Sequence, residues 1–307
     1  MLLEPDFVLD GAGRNVDTVA FWEAEKPEQS LMFVTAKNNA LIEVWPFPFD
    51  TRNQLPPIRH ESFAGGPVNA VVVDQAQDLL YVSVGEPSSA VIVFSLPERQ
   101  FVRVMLDDVM LGQEPGIDLY LDESRAWIYV TSDNRKKVYV LDTNDDAAVL
   151  TRTIERESET VLADEFHEVV YIPDENGRTG IHAYTPQLEP YQRNGRTSFG
   201  GGLFQADAEG IGLYRCEDDG RDTGEGFVVV ADQRRTLSDF EFFDRVKWDY
   251  QGTLRLARVN NTDGIASTQQ PLPGYPLGLF AAVDNDTRTV GIGWDKVLVA
   301  MGLACRD

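Results

Sequence analysis

Cysteine, histidine and positive charge are what this 307-residue sequence has least of. Its two cysteines, Cys216 and Cys305, lie 89 positions apart, too few for a disulfide framework and wrongly spaced for a metal pair. They read as one buried thiol and one thiol near the end of the chain. Three histidines, His60, His167 and His182, are too scattered to nominate a zinc site or a catalytic triad. Lys plus Arg is 27 against 50 Asp plus Glu, a formal net charge of −23. A surface so acidic repels phosphate backbones, which argues against nucleic acid as a partner and favours cations. No run of 18 apolar residues is present, so no membrane span is expected. The opening residues lack the basic end and long apolar core of a signal peptide. No nucleotide P-loop, dinucleotide fingerprint, Gly-x-Ser-x-Gly elbow, His-Glu-x-x-His pair or EF-hand loop occurs.

What the sequence does have is a repeat. Short β-rich runs recur around Phe33, Tyr81, Tyr129, Tyr171, Val228 and Phe280, at steps of 48, 48, 42, 57 and 52 residues. Each is followed by a polar turn and a partner run: Leu41 to Trp45, Ala90 to Phe94, Lys137 to Leu141, Gly180 to Tyr184, Phe240 to Phe243 and Val290 to Trp294. A shorter motif precedes each pair, at Asn15-Val16-Asp17, Val68-Asn69-Ala70, Gly116-Ile117-Asp118, Thr160-Val161-Leu162, Glu209-Gly210-Ile211 and Asp263-Gly264-Ile265. Strands alternating with turns, without intervening helical patterns, describe an all-β chain. Six units of about 50 residues describe a six-bladed β-propeller spanning residues 1–307 as one domain. Closing the ring needs a partner for the last blade, and Phe7-Val8-Leu9 can supply it beside a last strand ending near Val297-Leu298-Val299. The Gly-rich stretch Gln192 to Gly202 reads as a mobile loop, and the acidic run Asp142 to Asp146 as a solvated turn. A closed ring of this kind defaults to a monomer.

In such a ring the starts of the inner strands meet at one end of the central channel. Oxygen-bearing side chains fall there repeatedly: Asp17, Asn69, Asp118, Glu159, Asp164, Glu165, Asp207, Glu209 and Asp263. Others fall at the turn after the second strand: Asp174, Glu175, Asp232 and Gln233. Converging carboxylates resist ionisation unless a cation compensates them. An all-oxygen donor set suits Ca²⁺, which takes six to eight ligands in irregular geometry, better than Zn²⁺.

The motifs, in their order, resemble the β-propeller phytases, calcium-dependent phosphomonoesterases of inositol hexakisphosphate. The resemblance runs from about Asn15 to Val297 and is strongest in the last third. It rests on Asp207-Ala208-Glu209-Gly210-Ile211-Gly212-Leu213-Tyr214, Thr262-Asp263-Gly264-Ile265, and Gly274-Tyr275-Pro276 running on to Asp284. Glu159, Ala163-Asp164-Glu165, Tyr171 to Glu175, and Val16-Asp17 to Trp22 add to it. It implies that Asp17, Glu159, Glu175, Asp207, Glu209, Gln233 and Asp263 bind Ca²⁺ or its waters, with Glu159, Glu209 and Asp263 central to catalysis. It implies that Lys37 faces substrate phosphate and that the protein is secreted or periplasmic. Because the family includes tandem chains, it also allows a second propeller domain in a longer parent chain.

The sequence departs from the family pattern at several places. A paired Asp-Asp is Asp17-Thr18, acidic positions become Ala257 and Asn261, an Asn-Asn-Val-Asp element shrinks to Gly66-Pro67-Val68-Asn69, and a lysine falls at Asp133. Arg135 and Arg234 are the basic residues placed to compensate at the substrate. Three functions stay open: an inositol-phosphate phosphatase of reduced strength, a degenerate propeller that binds or supports without turnover, and a metal-dependent lactonase-like propeller using Asp17, Asn69, Glu159 and Asp263.

Overall fold

The alternation of apolar and polar positions is realised as six antiparallel sheets in a computed structural model. It describes residues 1–305 apart from 107–108, 123–124, 133 and 143–148. Asp133 and most of the acidic run from Asp142 to Asp146 lie outside the described residues.

The first blade is Val16–Trp22, Leu31–Ala36, Leu41–Pro46 and Leu55–Ile58, and the second is Val68–Asp74, Leu79–Val84, Ala90–Ser95 and Gln100–Met105. The third is Ile117–Asp122, Arg125–Ser132, Lys137–Asp142 and Val149–Glu155. The fourth is Leu162–Asp164, Val169–Pro173, Ile181–Tyr184 and Ser198–Phe199. The fifth is Ala208–Asp218, Arg221–Asp232, Asp239–Asp244 and Tyr250–Leu256, and the sixth is Ile265–Thr268, Leu279–Asp284 and Arg288–Gly293. The chain is a six-bladed β-propeller.

Every phase mark of the repeat sits on the second strand of its blade and is buried: Phe33, Tyr81, Tyr129, Tyr171, Val228 and Phe280. The second strand has sheet on both sides and a neighbouring blade against each face, so it tolerates no polar face. An apolar layer fills the space between each neighbouring pair of blades, such as Phe33, Ile42, Val82 and Phe94 between the first and second. Emptying one such site, as in Phe33→Ala, removes roughly 3–5 kcal/mol.

The ring closes as the sequence requires. Phe7–Leu9 runs antiparallel to Arg288–Gly293 as the outer strand of the sixth blade, with Val8 opposite Val290. Leu2–Leu3 continues the same device on the fifth blade, pairing in parallel with Tyr250–Leu256. Because the N-terminal strand completes the sixth blade, the segment expected to end that blade near Val297–Val299 is not a strand. It coils into the helix Trp294–Met301, which buries Trp294, Val297 and Leu298, the i, i+3, i+4 face.

Two further expectations are corrected. Gln192 to Gly202 carries Ser198–Phe199, the fourth strand of its blade, and Phe199 is buried with its ring stacked 5.1 Å from Trp248. The cysteines are not free thiols. Cys216, on the inner strand of the fifth blade, is bonded to Cys305 beyond the terminal helix, with Cα atoms 5.5 Å apart. Spacing in the chain could not reveal this pair, because it is the terminal helix packing back onto the neighbouring fifth blade that brings Cys305 to Cys216.

A cross-link across 89 residues removes much of the unfolded chain's freedom. The variant carrying both Cys216→Ser and Cys305→Ser is expected to lose about 2–4 kcal/mol of stability. Thermal unfolding with and without reductant checks this: reductant should lower the wild-type transition and leave the double variant unchanged.

Candidate functional site

The inner strands converge tightly, and glycine is what permits it. A Cβ on Gly264 would stand 2.3 Å from the Asp17 carbonyl oxygen, and one on Gly116 would stand 2.0 Å from that of Glu159. The close approach brings the acidic residue of one blade against the backbone of the next. Hydroxyls then lock the inner strands, between the first two blades and within the third. Thr35 and Thr18 donate to the Asn69 carbonyl at 2.7 and 3.0 Å, and Thr131 Oγ1 accepts the Gly116 N–H at 3.1 Å.

These strands enclose a cavity of about 290 Å³. Asp17, Asn69, Glu159, Glu209 and Asp263, contributed by five blades' inner segments, line one end, and Val73, Leu213 and Arg215 lie farther along the walls. Lys37 enters the mouth from the turn after the second strand of the first blade. Its Nζ lies 3.3 Å from Asp17 Oδ1 and 2.7 Å from Glu114 Oε1, and its side chain is 8% exposed. Glu114, on the link between the second and third blades, had no motif to announce it; only its place one turn before an inner strand could have found it. Glu114 also hydrogen-bonds Glu159. Asp263 is held by Gln233, whose amide donates to it, and by a hydrogen bond with Asp286. The Gln233 backbone N–H in turn bonds the Asp207 carbonyl at 2.9 Å.

The electrostatics show carboxylates in excess. Burial, then repulsion from Glu209 and Glu114, pushes Glu159 up to about 12 despite the pull of Lys37. Burial and Asp17 push Asp263 up to about 10. Burial raises Glu209 well above the carboxylate range, with Glu175, Asp17 and Asp207 adding and Lys37 opposing. Burial also raises Asp17, which Lys37 opposes and Glu114 reinforces. Glu114 alone ends below its ordinary value, because Lys37 outweighs its burial. Burial would lower Lys37, yet Asp17, Glu114 and Glu159 together raise it. One ammonium faces five carboxylates.

A further polar atom waits at the same end. Asn69 is 2% exposed, lines the cavity, and its Oδ1 has no hydrogen-bond partner among the described residues. An orphan buried carbonyl oxygen and carboxylates pushed toward protonation thus line one cavity. No histidine competes there: His60 stacks on Phe101, His167 bonds the Gly224 carbonyl and His182 bonds Thr179.

Other oxygen-bearing residues of the sequence reading go elsewhere. Asp118 lines the cavity but accepts the Ala163 N–H at 2.6 Å, and burial pushes it up to about 7. Asp164 joins Asp222 in gripping the buried Arg245, at 2.6 and 2.7 Å, which ties the fourth blade to the fifth. Glu165 accepts the Leu121 N–H, and Asp174 accepts from Thr179. Asp232, Asp239 and Glu241 bring oxygens within 4.8 Å of one another at the fifth blade, tighter than the mouth, where the carboxylates ring an opening. That cluster is already satisfied by Arg234, Arg255, Thr253, Tyr250 and the Gln205 and Ala206 N–H groups. Arg234 is thus engaged with Asp239, and Arg135 with Glu86 at 2.6 Å. Of the three basic residues chosen for substrate, the structure brings Lys37 alone into contact with the acidic mouth.

The raised carboxylates set a pH dependence. Folded Glu159 and Asp263 keep protons that the unfolded chain releases above pH 4–5, so metal-free stability is complete below that range and falls as pH rises toward 10. Lys37, being raised, stays charged throughout this window. Chelator-treated protein should therefore melt at a lower temperature at pH 9 than at pH 5, and Glu209→Gln should reduce the difference. Melting curves that do not shift between these pH values would contradict the assignment.

In comparisons with protein-family models and with curated protein sequences, nothing matches this chain.

Proposed function

We propose that the channel mouth binds Ca²⁺ and that the protein hydrolyses phosphate monoesters of the inositol-phosphate class. The observation that carries this reading is the excess of buried carboxylates around Lys37, together with the orphan oxygen of Asn69. Asp17, Asn69, Glu159, Glu209 and Asp263 would hold the ion, with Glu175, Asp207 and Gln233 around them. When bound, the ion would polarise a phosphoryl oxygen and lower the pKa of attacking water. The chain's own residues do the rest. Gln233 orients Asp263, and Glu114 holds Lys37 at the opening. Lys37 is the cation closest to where a phosphate would approach.

The Cys216–Cys305 bond supports an oxidising compartment, hence a secreted or periplasmic protein. A second reading, binding without turnover, draws on a different observation. Lys37, Arg135 and Arg234, the basic groups nominated for substrate, are each ion-paired to the protein's own carboxylates.

Phosphate release from inositol hexakisphosphate, measured with Ca²⁺ and with chelator, separates the two. The phosphatase reading expects Ca²⁺-dependent release that Glu209→Gln cuts by roughly 100-fold, the scale of losing one charged transition-state stabiliser. Saturable binding of the same ester with no release would establish the binding module and overturn the phosphatase.

A further inference from the structure

In the first blade a carboxylate stands where packing calls for an apolar side chain. Glu43 lies on the third strand, on the same face as Leu41 and Trp45, which are buried in the apolar layer between the first and sixth blades. Glu43 itself is 3% exposed. What it meets is backbone. The Gly13 N–H, also buried, donates to Glu43 Oε1 at 2.6 Å. The chain passes so close that a Cβ on Gly11 would stand 2.1 Å from both carboxylate oxygens. Burial pushes the Glu43 carboxyl up from its ordinary value, opposed first by the bond from Gly13.

The loop that Glu43 grips carries the Lys37 side of the mouth. Residues 10–15 lead from Phe7–Leu9, at the outer edge of the sixth blade, to Val16–Trp22 at the channel. They cross the crevice between the two blades outside any sheet, so a buried N–H on the way needs an acceptor from a side chain. Past Gly13 the loop becomes a support. The Arg14 and Asn15 carbonyls accept the Asn38 and Lys37 N–H groups, at 3.2 and 2.9 Å, so the turn Lys37–Asn39 hangs from it. The Val16 N–H bonds the Asp286 carbonyl at 2.9 Å, and Asp17 follows, 3.3 Å from Lys37 Nζ.

We propose that Glu43 is a positioning residue: it clamps the crossing loop at Gly13 and so fixes Lys37 at the mouth. This rests on reading Lys37 as the group that meets substrate phosphate. Glu43 does not line the channel, and its effect runs through backbone alone. Without it the Gly13 N–H would be buried with no acceptor, and the loop would lift toward water and loosen its hold on Lys37.

Acetylation of the full chain by an N-hydroxysuccinimide ester, read lysine by lysine by mass spectrometry, tests this. In the wild type Lys37, 8% exposed, should be protected, while Lys136, 64% exposed, reacts freely. Glu43→Ala should raise Lys37 labelling about tenfold relative to Lys136, the scale of one lost buried hydrogen bond. Glu43→Gln keeps an acceptor oxygen and should keep Lys37 protected. Val44→Ala empties the opposite face of the same strand and should also leave Lys37 protected. Unchanged labelling in Glu43→Ala would overturn the proposal, as would equal labelling in Val44→Ala. Hydrogen exchange in the wild type decides even if Glu43→Ala does not fold. The Gly13, Lys37 and Asn38 N–H groups should share one protection factor, and unlinked values would overturn the clamp. If the protein releases phosphate, Glu43→Ala should raise KM about tenfold with little change in kcat. No release from any form would overturn the phosphatase reading alone, and the labelling would still decide the clamp.

Discussion

Like charges forced together away from water are the condition on which the functional end of this molecule depends. Burying one carboxylate is tolerable when N–H groups, hydroxyls or a guanidinium meet it. Gathering Asp17, Glu114, Glu159, Glu209 and Asp263 around one lysine is not balanced in that way, and Glu159 and Asp263 respond by holding protons far above the usual range. Nothing about local packing demands carboxylates at those positions. Close approach of the inner strands is secured by Gly116 and Gly264, positions separate from the carboxylates. The acidic residues are thus a cost imposed on a scaffold that would be more stable without them, which is the usual mark of a site.

The scaffold can bear the cost because its stability lies elsewhere. The apolar layers between blades are continuous from the inner to the outer strands. The chain ends are fastened three times over, by Phe7–Leu9 on the sixth blade, by Leu2–Leu3 on the fifth, and by Cys216–Cys305. All three closures concentrate where the two ends of the chain meet, the fifth and sixth blades. Those blades also carry Glu209 and Asp263, so the least compensated part of the mouth is mounted on the most heavily braced part of the ring.

The propeller was legible in the sequence because its strongest signal is physical and local. Tyr81, Tyr129 and Tyr171 recur on second strands, where burial on both faces favours apolar and aromatic side chains. The N-terminal closing strand was legible for the same reason, since an unfinished last blade needs a partner. The helix Trp294–Met301 was misread because its i, i+3, i+4 spacing spans barely two turns and Val297-Leu298-Val299 alone reads as a strand; what decided it was that Phe7–Leu9 already occupied the outer edge. The disulfide was invisible because the packing of the terminal helix on the fifth blade, not spacing, brings Cys305 to Cys216. At the mouth, residues at inner-strand starts were legible from topology alone: Asp17, Glu159, Glu209 and Asp263 converge because the ring makes them. Glu114 was missed because it stands on a link, with no repeat to mark it. The engagement of Arg234 and Arg135 depends on side-chain partners, Asp239 and Glu86, that lie five and 49 positions away and follow no motif.

The cluster on the fifth blade shows why acidity alone does not define a site. Asp232, Asp239 and Glu241 are closer to one another than the carboxylates of the mouth, and all three are buried. Yet Asp239 lies below its ordinary range, because the bonds from Arg255 and Arg234 outweigh its burial. Glu241 receives Tyr250 and Thr253, both on Oε2, and Asp232 receives two N–H groups, which oppose the upward push of burial on each. A cation entering there would have to evict two guanidiniums that already do its work. At the mouth the one resident cation serves Asp17 and Glu114 and leaves the opposite wall uncompensated. The distinction between the two clusters is therefore not how many carboxylates meet but whether the chain has supplied their partners.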